Sequence, residues 1–272
     1  MKPTNIKTLI VGVDLSDYSN LVAAEAKQLS DELGLPLIYV FVYEDVNQYQ
    51  ETVTLDRRKV AMLYEEKIRS QYRVEDKQKV IIRFGRADKE IIAVAKKEKN
   101  PLLLVGHKSG HAIARFFLGS VAEKLASTSP FPLWIHRGEK VLLPKKILIP
   151  SDLSARSDKT IAEVEGLNKT FNSDVEIYHV LNQPFPILDY QAWSAVETAI
   201  KEADDKRIKS FKKKHPSLKL IRSRGSVAES IQQHSKKYDL VAVSPRPKSK
   251  VSFGRVTGKI VRSGDTPVLV IP

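Results

Sequence analysis

The chain repeats itself once, and this duplication limits the fold more than any other feature of its 272 residues. Residues 7–16, KTLIVGVDLS, align with 145–154, KKILIPSDLS, at an offset of 138. Towards the ends of the two halves, 118–135 aligns with 253–270 at an offset of 135. Such a period is far longer than the unit of a solenoid and has the length of a whole domain. The sequence therefore predicts two tandem domains with the same fold.

The composition narrows the class of protein further. A linker near 137–144 gives domains of 1–140 and 141–272, and 42% hydrophobic residues suffice for a buried core. The absence of cysteine excludes disulfides, thiolate metal ligands and a cysteine nucleophile. No apolar run reaches the ~20 residues that a membrane-spanning helix needs, and the N-terminus does not resemble a secretory signal. We expect a cytoplasmic protein that does not enter membranes.

Within each half, short apolar runs alternate with longer amphipathic stretches. Five runs of the first half are rich in Val, Ile and Leu, as in strands buried on both faces of a parallel sheet: 8–13, 37–42, 80–84, 102–105 and 133–135. The stretches that predict helices are 16–34, 54–71 and 88–98, then 155–168, 190–214, 226–237 and 255–263. Ser16 and Asp88 suit N-caps, and Gly34 suits a left-handed C-terminal residue. This order predicts an α/β fold of two doubly wound, Rossmann-like domains, each a five-stranded parallel sheet with helices on both faces.

In such sheets the ligand crevice lies beyond the carboxyl ends of the strands. Asp14 follows the first predicted strand, and a glycine-containing loop follows the fourth. In that loop Gly106 and Gly110 let the backbone approach a ligand closely, and Gly119-Ser120 opens a helix. The free amides of a helix N-terminus suit an anion. The pattern favours a phosphate-binding loop.

A structural interpretation of the same residues stays open at this stage. Ser120 and Glu123 have the spacing of a capping box, which any helix can use, and Ser226 and Glu229 repeat it without a phosphate loop before them. Asp14 could equally cap the helix that follows it, or the Asp-Leu-Ser turn that leads into that helix. Spacing alone does not choose between these alternatives.

The duplicated domain and the positions of these residues together resemble the universal stress protein family. That family has an Asp after its first strand and, after the fourth, a Gly, two residues, a Gly, nine residues and then Gly-Ser or Gly-Thr. Asp14, Gly106 and Gly119-Ser120 match these positions, and the resemblance covers both halves. It implies an adenine nucleotide alpha hydrolase-like domain that pairs through its last strand, here within the tandem chain. A homodimer of whole chains is a further expectation.

Many members of that family bind ATP or AMP, and Mg²⁺ would accompany ATP. By this resemblance Asp14 and the main chain near Val40 and Phe41 meet the adenine and ribose. The residues implied to flank the ribose and α-phosphate are Gly106, His107, Ser109 and Gly110, and those implied to hold the outer phosphates are Gly119, Ser120 and the amide of Val121. The resemblance thus implies an adenine nucleotide as partner of 1–140, in a stress-response regulatory module.

Both halves depart from the family pattern. Ser109 stands where the second glycine of the motif belongs. In the second half Ser244 replaces the first glycine, Pro245 follows it, the loop is three residues shorter, and Arg255 stands in place of the motif serine. Proline has no N–H to offer a phosphate. We predict that the second half, although it keeps Asp152, has a structural role and does not bind nucleotide in the family manner.

Catalysis is not expected from this sequence. No nucleophile–base pair or acid pair stands out, and His107 and His111 lack a third residue with the spacing of a metal ligand. We therefore expect no catalytic residues and no metal site of the protein's own. A scaffold that binds no nucleotide and a weak ATPase that depends on Asp14 are the alternatives.

A net charge of +13 favours anionic partners. The densest run of basic residues, Lys206–Lys214, ends a predicted helix just before His215-Pro216. Aromatic residues that could stack on bases do not alternate with its cations. We expect a solvated helix end there and no nucleic-acid partner. Trp134 and Trp193 are expected in a core or an interface.

Overall fold

The computed structural model contains one sheet of ten strands that runs through both halves of the chain. The structure describes residues 6–44, 56–107, 118–138, 143–182, 190–245 and 254–272. The strand order is β3-β2-β1-β4-β5-β10-β9-β6-β7-β8. Each half therefore has the order 3-2-1-4-5 in its own strands, and every neighbouring pair within a half is parallel. The predicted fold class is confirmed.

The elements of the first half alternate as the sequence predicts. They are β1 Thr8–Val13, α1 Asp17–Leu33, β2 Leu37–Tyr43, α2 Arg57–Tyr72, β3 Lys79–Phe84, α3 Ala87–Ala95, β4 Pro101–Gly106, α4 Ser120–Thr128 and β5 Leu133–His136. Those of the second half are β6 Lys146–Pro150, α5 Ala155–Phe171, β7 Asp174–Asn182, α6 Tyr190–Lys214, β8 Lys219–Gly225, α7 Val227–Ser235, β9 Leu240–Val243, α8 Arg255–Arg262 and β10 Val268–Val270. Strand bounds agree with the apolar runs to within one or two residues, because strands buried on both faces carry an unbroken apolar signal.

Helices cover both faces of the sheet and give it two cores. One core lies under α1, α2, α5 and α6, and the other lies under α3, α4, α7 and α8. Alternate residues of each strand point to opposite faces, so Leu9 and Val11 enter the first core while Ile10 enters the second. Because the helices cover the two faces of the sheet, the carboxyl ends of the strands lie at its edge, where loops follow them.

The two halves join through their last strands. Leu133, Trp134 and Ile135 of β5 pair antiparallel with Val270, Leu269 and Val268 of β10. The pairing within the tandem chain that the resemblance implied is therefore present. Trp134 is buried at this junction, as predicted, whereas the side chain of Trp193 lies outside the described residues.

Local capping agrees with the sequence at one helix and differs at another. Ser16 caps α1 by accepting from the Ser19 amide, and Gly34 ends it with φ +62°, both as predicted. The prediction of Asp88 as an N-cap is wrong, because α3 starts at Ala87 and Arg86 occupies that position. The Asp88 carboxylate instead lies 2.7 Å from the Arg86 guanidinium. An ion pair has replaced the cap.

The basic run forms the end of α6 and is solvated on most of its surface. Lys212, Lys213 and Lys214 are exposed in the last turn, where cations suit the helix dipole. Lys214 lies 2.8 Å from the Asp158 carboxylate. Among the described residues, no helix combines the length and the apolar character needed to cross a bilayer.

Candidate functional site

The predicted site residues that the structure describes gather at the carboxyl edge of the first half. Asp14 follows β1, Val40 and Phe41 lie in β2, and Gly106 ends β4 with His107 directly after it. Three more predicted residues begin α4 at the same edge: Gly119, Ser120 and Val121. Ser109, Gly110 and His111 lie outside the described residues. The edge therefore holds the predicted site on three neighbouring strands and one helix.

Asp14 organises the turn between β1 and α1. Its Oδ1 accepts from the Ser16 amide at 3.1 Å and from the Ser19 hydroxyl at 2.7 Å. This bonding holds Leu15 at φ +62°, a conformation that costs a branched side chain energy. Asp14 thus caps the Asp-Leu-Ser turn, whereas Ser16 caps the helix itself. The exposed carboxylate of Asp14 stands at the end of β1 beside the neighbouring strands.

The second half builds the same turn. Oδ1 of Asp152 accepts from the Ser154 amide at 3.2 Å and from the Ser157 hydroxyl at 2.7 Å, and Leu153 has φ +56°. A turn that recurs in both halves is needed to connect the first strand to the first helix. The retained aspartate is therefore explained by architecture in both copies.

Val40 and Phe41 are engaged in the sheet. Their partners in the ladder are Gly12 and Val13 of β1 on one side and two residues of β3 on the other. The Phe41 ring is buried and stacks on Tyr64 of α2, with 4.6 Å between ring centroids. Tyr64 thus places an aromatic ring of α2 beside β2. The sequence alone does not single out this residue.

Gly106 is needed by the protein's own packing. A Cβ at this position would lie 2.9 Å from Cε1 of Tyr18 and 3.1 Å from Cγ2 of Val22, both on α1. The Tyr18 hydroxyl lies 2.6 Å from Nδ1 of His107 and donates to the carbonyl of His136 at 3.2 Å. Burial, with a smaller contribution from the charge of Glu25, raises the pKa of Tyr18 well above its ordinary value. The neutral phenol thus closes over the end of β4.

Replacing Gly106 with alanine is expected to lower the free energy of unfolding by about 1–3 kcal/mol, because the added methyl overpacks the ring of Tyr18. Guanidinium denaturation followed by circular dichroism measures this loss. In a Tyr18→Ala background the same glycine substitution should cost clearly less. An equal cost in both backgrounds would show that Tyr18 is not the obstacle.

The start of α4 has a backbone geometry that suits an anion. Gly119 is its N-cap residue, so the capping box that the sequence allowed at Ser120 is not formed. Among the described residues, no side chain caps this helix. The Gly119 amide donates to the His107 carbonyl at 2.6 Å, which ties the helix start to the end of β4. The first-turn amides that follow belong to Ser120 and Val121.

A buried pair, Glu25 and His136, is connected to the site through Tyr18 and was not predicted from the sequence. Nδ1 of His136 lies 2.6 Å from the Glu25 carboxylate, and both side chains are at most 2% exposed. Nε2 of His136 faces the Gly138 carbonyl at 3.2 Å. Both ring nitrogens of His136 therefore face oxygen atoms of the protein. The Tyr18 hydroxyl donates to the carbonyl of the same histidine, so the pair helps to hold the Tyr18 ring over Gly106.

Among the described residues, no group of three or more His, Asp or Glu side chains could hold a metal ion. The arrangement can bind an anion on backbone amides and a planar group against an aromatic ring.

Comparisons with known proteins identify the family of this chain. The sequence model of the universal stress protein family matches twice, over residues 5–137 and 144–272. A curated relative, the "Universal stress protein in QAH/OAS sulfhydrylase 3'region" of Thermus aquaticus, is 28% identical over 135 residues, which are 48% of this chain and 98% of the relative.

Solved structures share the fold over the full length. A putative universal stress protein from Pseudomonas aeruginosa UCBPP-PA14 has a TM-score of 0.67 and 12% identity, covering 99% of this chain and 93% of its own. A universal stress protein from Archaeoglobus fulgidus DSM 4304 has a TM-score of 0.64 and 16% identity, covering 99% and 97%. The chain therefore belongs to the universal stress protein family and carries two copies of its domain.

Proposed function

We propose that the first half of the chain binds an adenine nucleotide, ATP or AMP, and that the protein acts as a regulatory binding module in a stress response. The N-terminus of α4 supports this most directly. Its first-turn amides at Ser120 and Val121 follow a glycine without a side-chain cap among the described residues. Such amides and the helix dipole favour a phosphate group.

The rest of the edge suits the other parts of a nucleotide. Asp14 is exposed at the end of β1, where a carboxylate can accept hydrogen bonds from ribose hydroxyls. The partly exposed ring of Tyr64, which stacks on Phe41 of β2, gives this edge an aromatic group that suits a purine. A cytoplasmic location, a homodimer of whole chains and Mg²⁺ with bound ATP remain predictions.

Gly119→Val is expected to weaken ATP and AMP binding by about tenfold or more, because a branched side chain at the N-cap obstructs the phosphate on the first-turn amides. The backbone of Gly119, with φ −60° and ψ 146°, accepts valine without strain. Isothermal titration calorimetry of the full chain measures the change. Ser120→Ala should have a smaller effect, since it removes one hydroxyl and leaves the amides.

The second half offers a matched control for this substitution. Gly254 precedes α8 with φ −59° and ψ 154°, nearly the backbone of Gly119. Gly254→Val should leave nucleotide affinity unchanged. If the heats of ATP binding are the same in wild type and Gly119→Val, the phosphate site is not at the start of α4.

A scaffold that binds no nucleotide is the second candidate, and one observation favours it. The ring of Tyr18 already occupies the side of Gly106 where the absent Cβ would lie. If this residue closes the crevice, the protein purified from cells should lack adenine absorbance, and millimolar ATP should not raise its melting temperature. Co-purified nucleotide would dismiss the scaffold.

A further inference from the structure

The second half contains a cavity at its carboxyl edge. It has a volume of about 630 Å³, within the ~300–1,000 Å³ typical of sites for small ligands. The ends of β6, β7 and β9 form its floor, and α5, α6 and α8 form its walls. This is the half for which the sequence predicts only a structural role, so the cavity requires an explanation of its own.

Arginines reach this cavity from three different helices. Arg156 belongs to α5, Arg207 to α6 and Arg255 to the first position of α8. Arg156 also donates to the Pro245 carbonyl at 3.0 Å, which holds its guanidinium at the rim. Guanidinium groups match carboxylate and phosphate oxygens in a bidentate geometry. Three of them around one space indicate an anionic occupant.

The acidic residues of the cavity do not cancel this charge. Asp204 lies 2.7 Å from Nε2 of the buried His179, whose Nδ1 faces the Ser151 carbonyl at 2.8 Å. The Asp204 carboxylate is therefore already bound to a buried ring of the protein. Asp152 is the other carboxylate of the lining among the described residues, and its Oδ1 accepts two hydrogen bonds in its turn. The arginines therefore outnumber the remaining carboxylate.

The start of α8 adds backbone donors to the same cavity. Gly254 is its N-cap residue, and no side chain among the described residues caps the helix. Gly254 and Arg255 both line the cavity. An uncapped helix start beside a guanidinium gives an oxyanion both amide and side-chain donors.

The walls differ from those of the first half at matching positions. His179 takes the place of Phe41 in the strand register. Pro150 pairs with Tyr178 as Gly12 pairs with Val40, and His179 and Phe41 are the next residues of their strands. Its contact with Asp204 replaces the aromatic stack of Phe41 on Tyr64. Arg156 replaces Tyr18 at the offset of 138. A wall that is aromatic in one half is ionic in the other, which suits a small polar ligand and disfavours a purine.

We propose that this cavity binds a small organic or inorganic anion with at least two oxyanion groups, carboxylate or phosphate, and that it does not bind an adenine nucleotide. Arg207 and Arg255 would hold separate oxyanion groups, with the first-turn amides of α8 donating to one of them. The inference does not depend on nucleotide binding in the first half.

Titration calorimetry of the full chain with pyrophosphate and, separately, with citrate tests the proposal and distinguishes phosphate from carboxylate ligands. At least one of them should bind with a stoichiometry of one. Arg207→Gln and Arg255→Gln should each weaken that binding by about tenfold or more, since each removes charge-assisted hydrogen bonds. Thermal unfolding of each variant should match wild type, because both side chains are exposed.

Lys209→Gln is the matched control, since this exposed cation lies on α6 two residues from Arg207 and outside the lining. It should change the affinity less than roughly twofold. Gly119→Val should also leave anion binding intact. The proposal is overturned if neither anion binds, or if Lys209→Gln weakens binding as much as Arg207→Gln. ATP binding that survives Gly119→Val and disappears in Arg255→Gln would overturn it as well.

Discussion

Arg137→Met is expected to lower the free energy of unfolding by about 3 kcal/mol, and to do so by loosening the junction between the halves. Arg137 directly follows β5 and is 4% exposed. Its guanidinium donates to the carbonyls of Ile260 and Val261 in the last turn of α8, and more weakly to that of Thr266 at 3.5 Å. Each buried carbonyl that loses its donor costs about 1–3 kcal/mol, partly offset because the methionine needs no desolvation of a charge.

The charge of Arg137 persists in this environment. Burial lowers the pKa of Arg137 to about 10, so the side chain is still protonated at neutral pH. A cation beside the carbonyls that end a helix is also favoured by the helix dipole. The contact therefore joins β5 of one half to α8 of the other by charge-assisted hydrogen bonds.

Arg262→Met supplies the comparison for this substitution. Arg262 also connects the halves, lying 2.8 Å from the Glu123 carboxylate, but both side chains are about half exposed. Exposed ion pairs contribute about 0–1 kcal/mol. Guanidinium denaturation at neutral pH should therefore rank wild type and Arg262→Met close together and Arg137→Met well below them. Equal small losses in both variants would mean that the junction depends on β5–β10 pairing and packing alone.

The strands and most helices could be predicted because their signals are local. The run at 8–13 is β1 without change, and 190–214 is α6 without change. A strand buried on both faces has only apolar neighbours in sequence, and a helix shows its period within a few turns. Asp88 shows where a local rule fails, because an ion pair with Arg86 competes with the cap.

The buried charges could not be predicted in the same way. Glu25 and His136 are 111 residues apart, and nothing near either residue marks it as internal. The sequence predicts Gly106 as a ligand-binding glycine, yet its missing side chain makes room for Tyr18, 88 residues earlier. Likewise, the loss of the glycine motif in the second half predicts the loss of one ligand. It does not show that a cavity lined by Arg207 and Arg255 remains.

Glu25→Ala is expected to cost about 3–5 kcal/mol of unfolding free energy, because it leaves the His136 ring charged or unpaired in a site without water contact. The pair is at most 2% exposed, so solvent cannot replace the lost partner. Guanidinium denaturation measures the loss. Glu32→Ala on the same helix is the control, since Glu32 is exposed and accepts a hydrogen bond from Gln28 four residues before it. The cost of this substitution should stay below roughly 1 kcal/mol.

Glu25→Gln separates the two parts of this interaction. The amide oxygen can still accept from Nδ1 of His136, but it carries no charge, so its cost should lie between those of Glu25→Ala and Glu32→Ala. If Glu25→Gln costs as much as Glu25→Ala, the electrostatic attraction dominates; if it costs as little as Glu32→Ala, the hydrogen bond does. Because His136 holds Tyr18 through its carbonyl, Glu25→Ala should also release the ring from Gly106, and Gly106→Ala should then cost less. A Glu25→Ala protein as stable as wild type would show that the buried pair contributes no net stability.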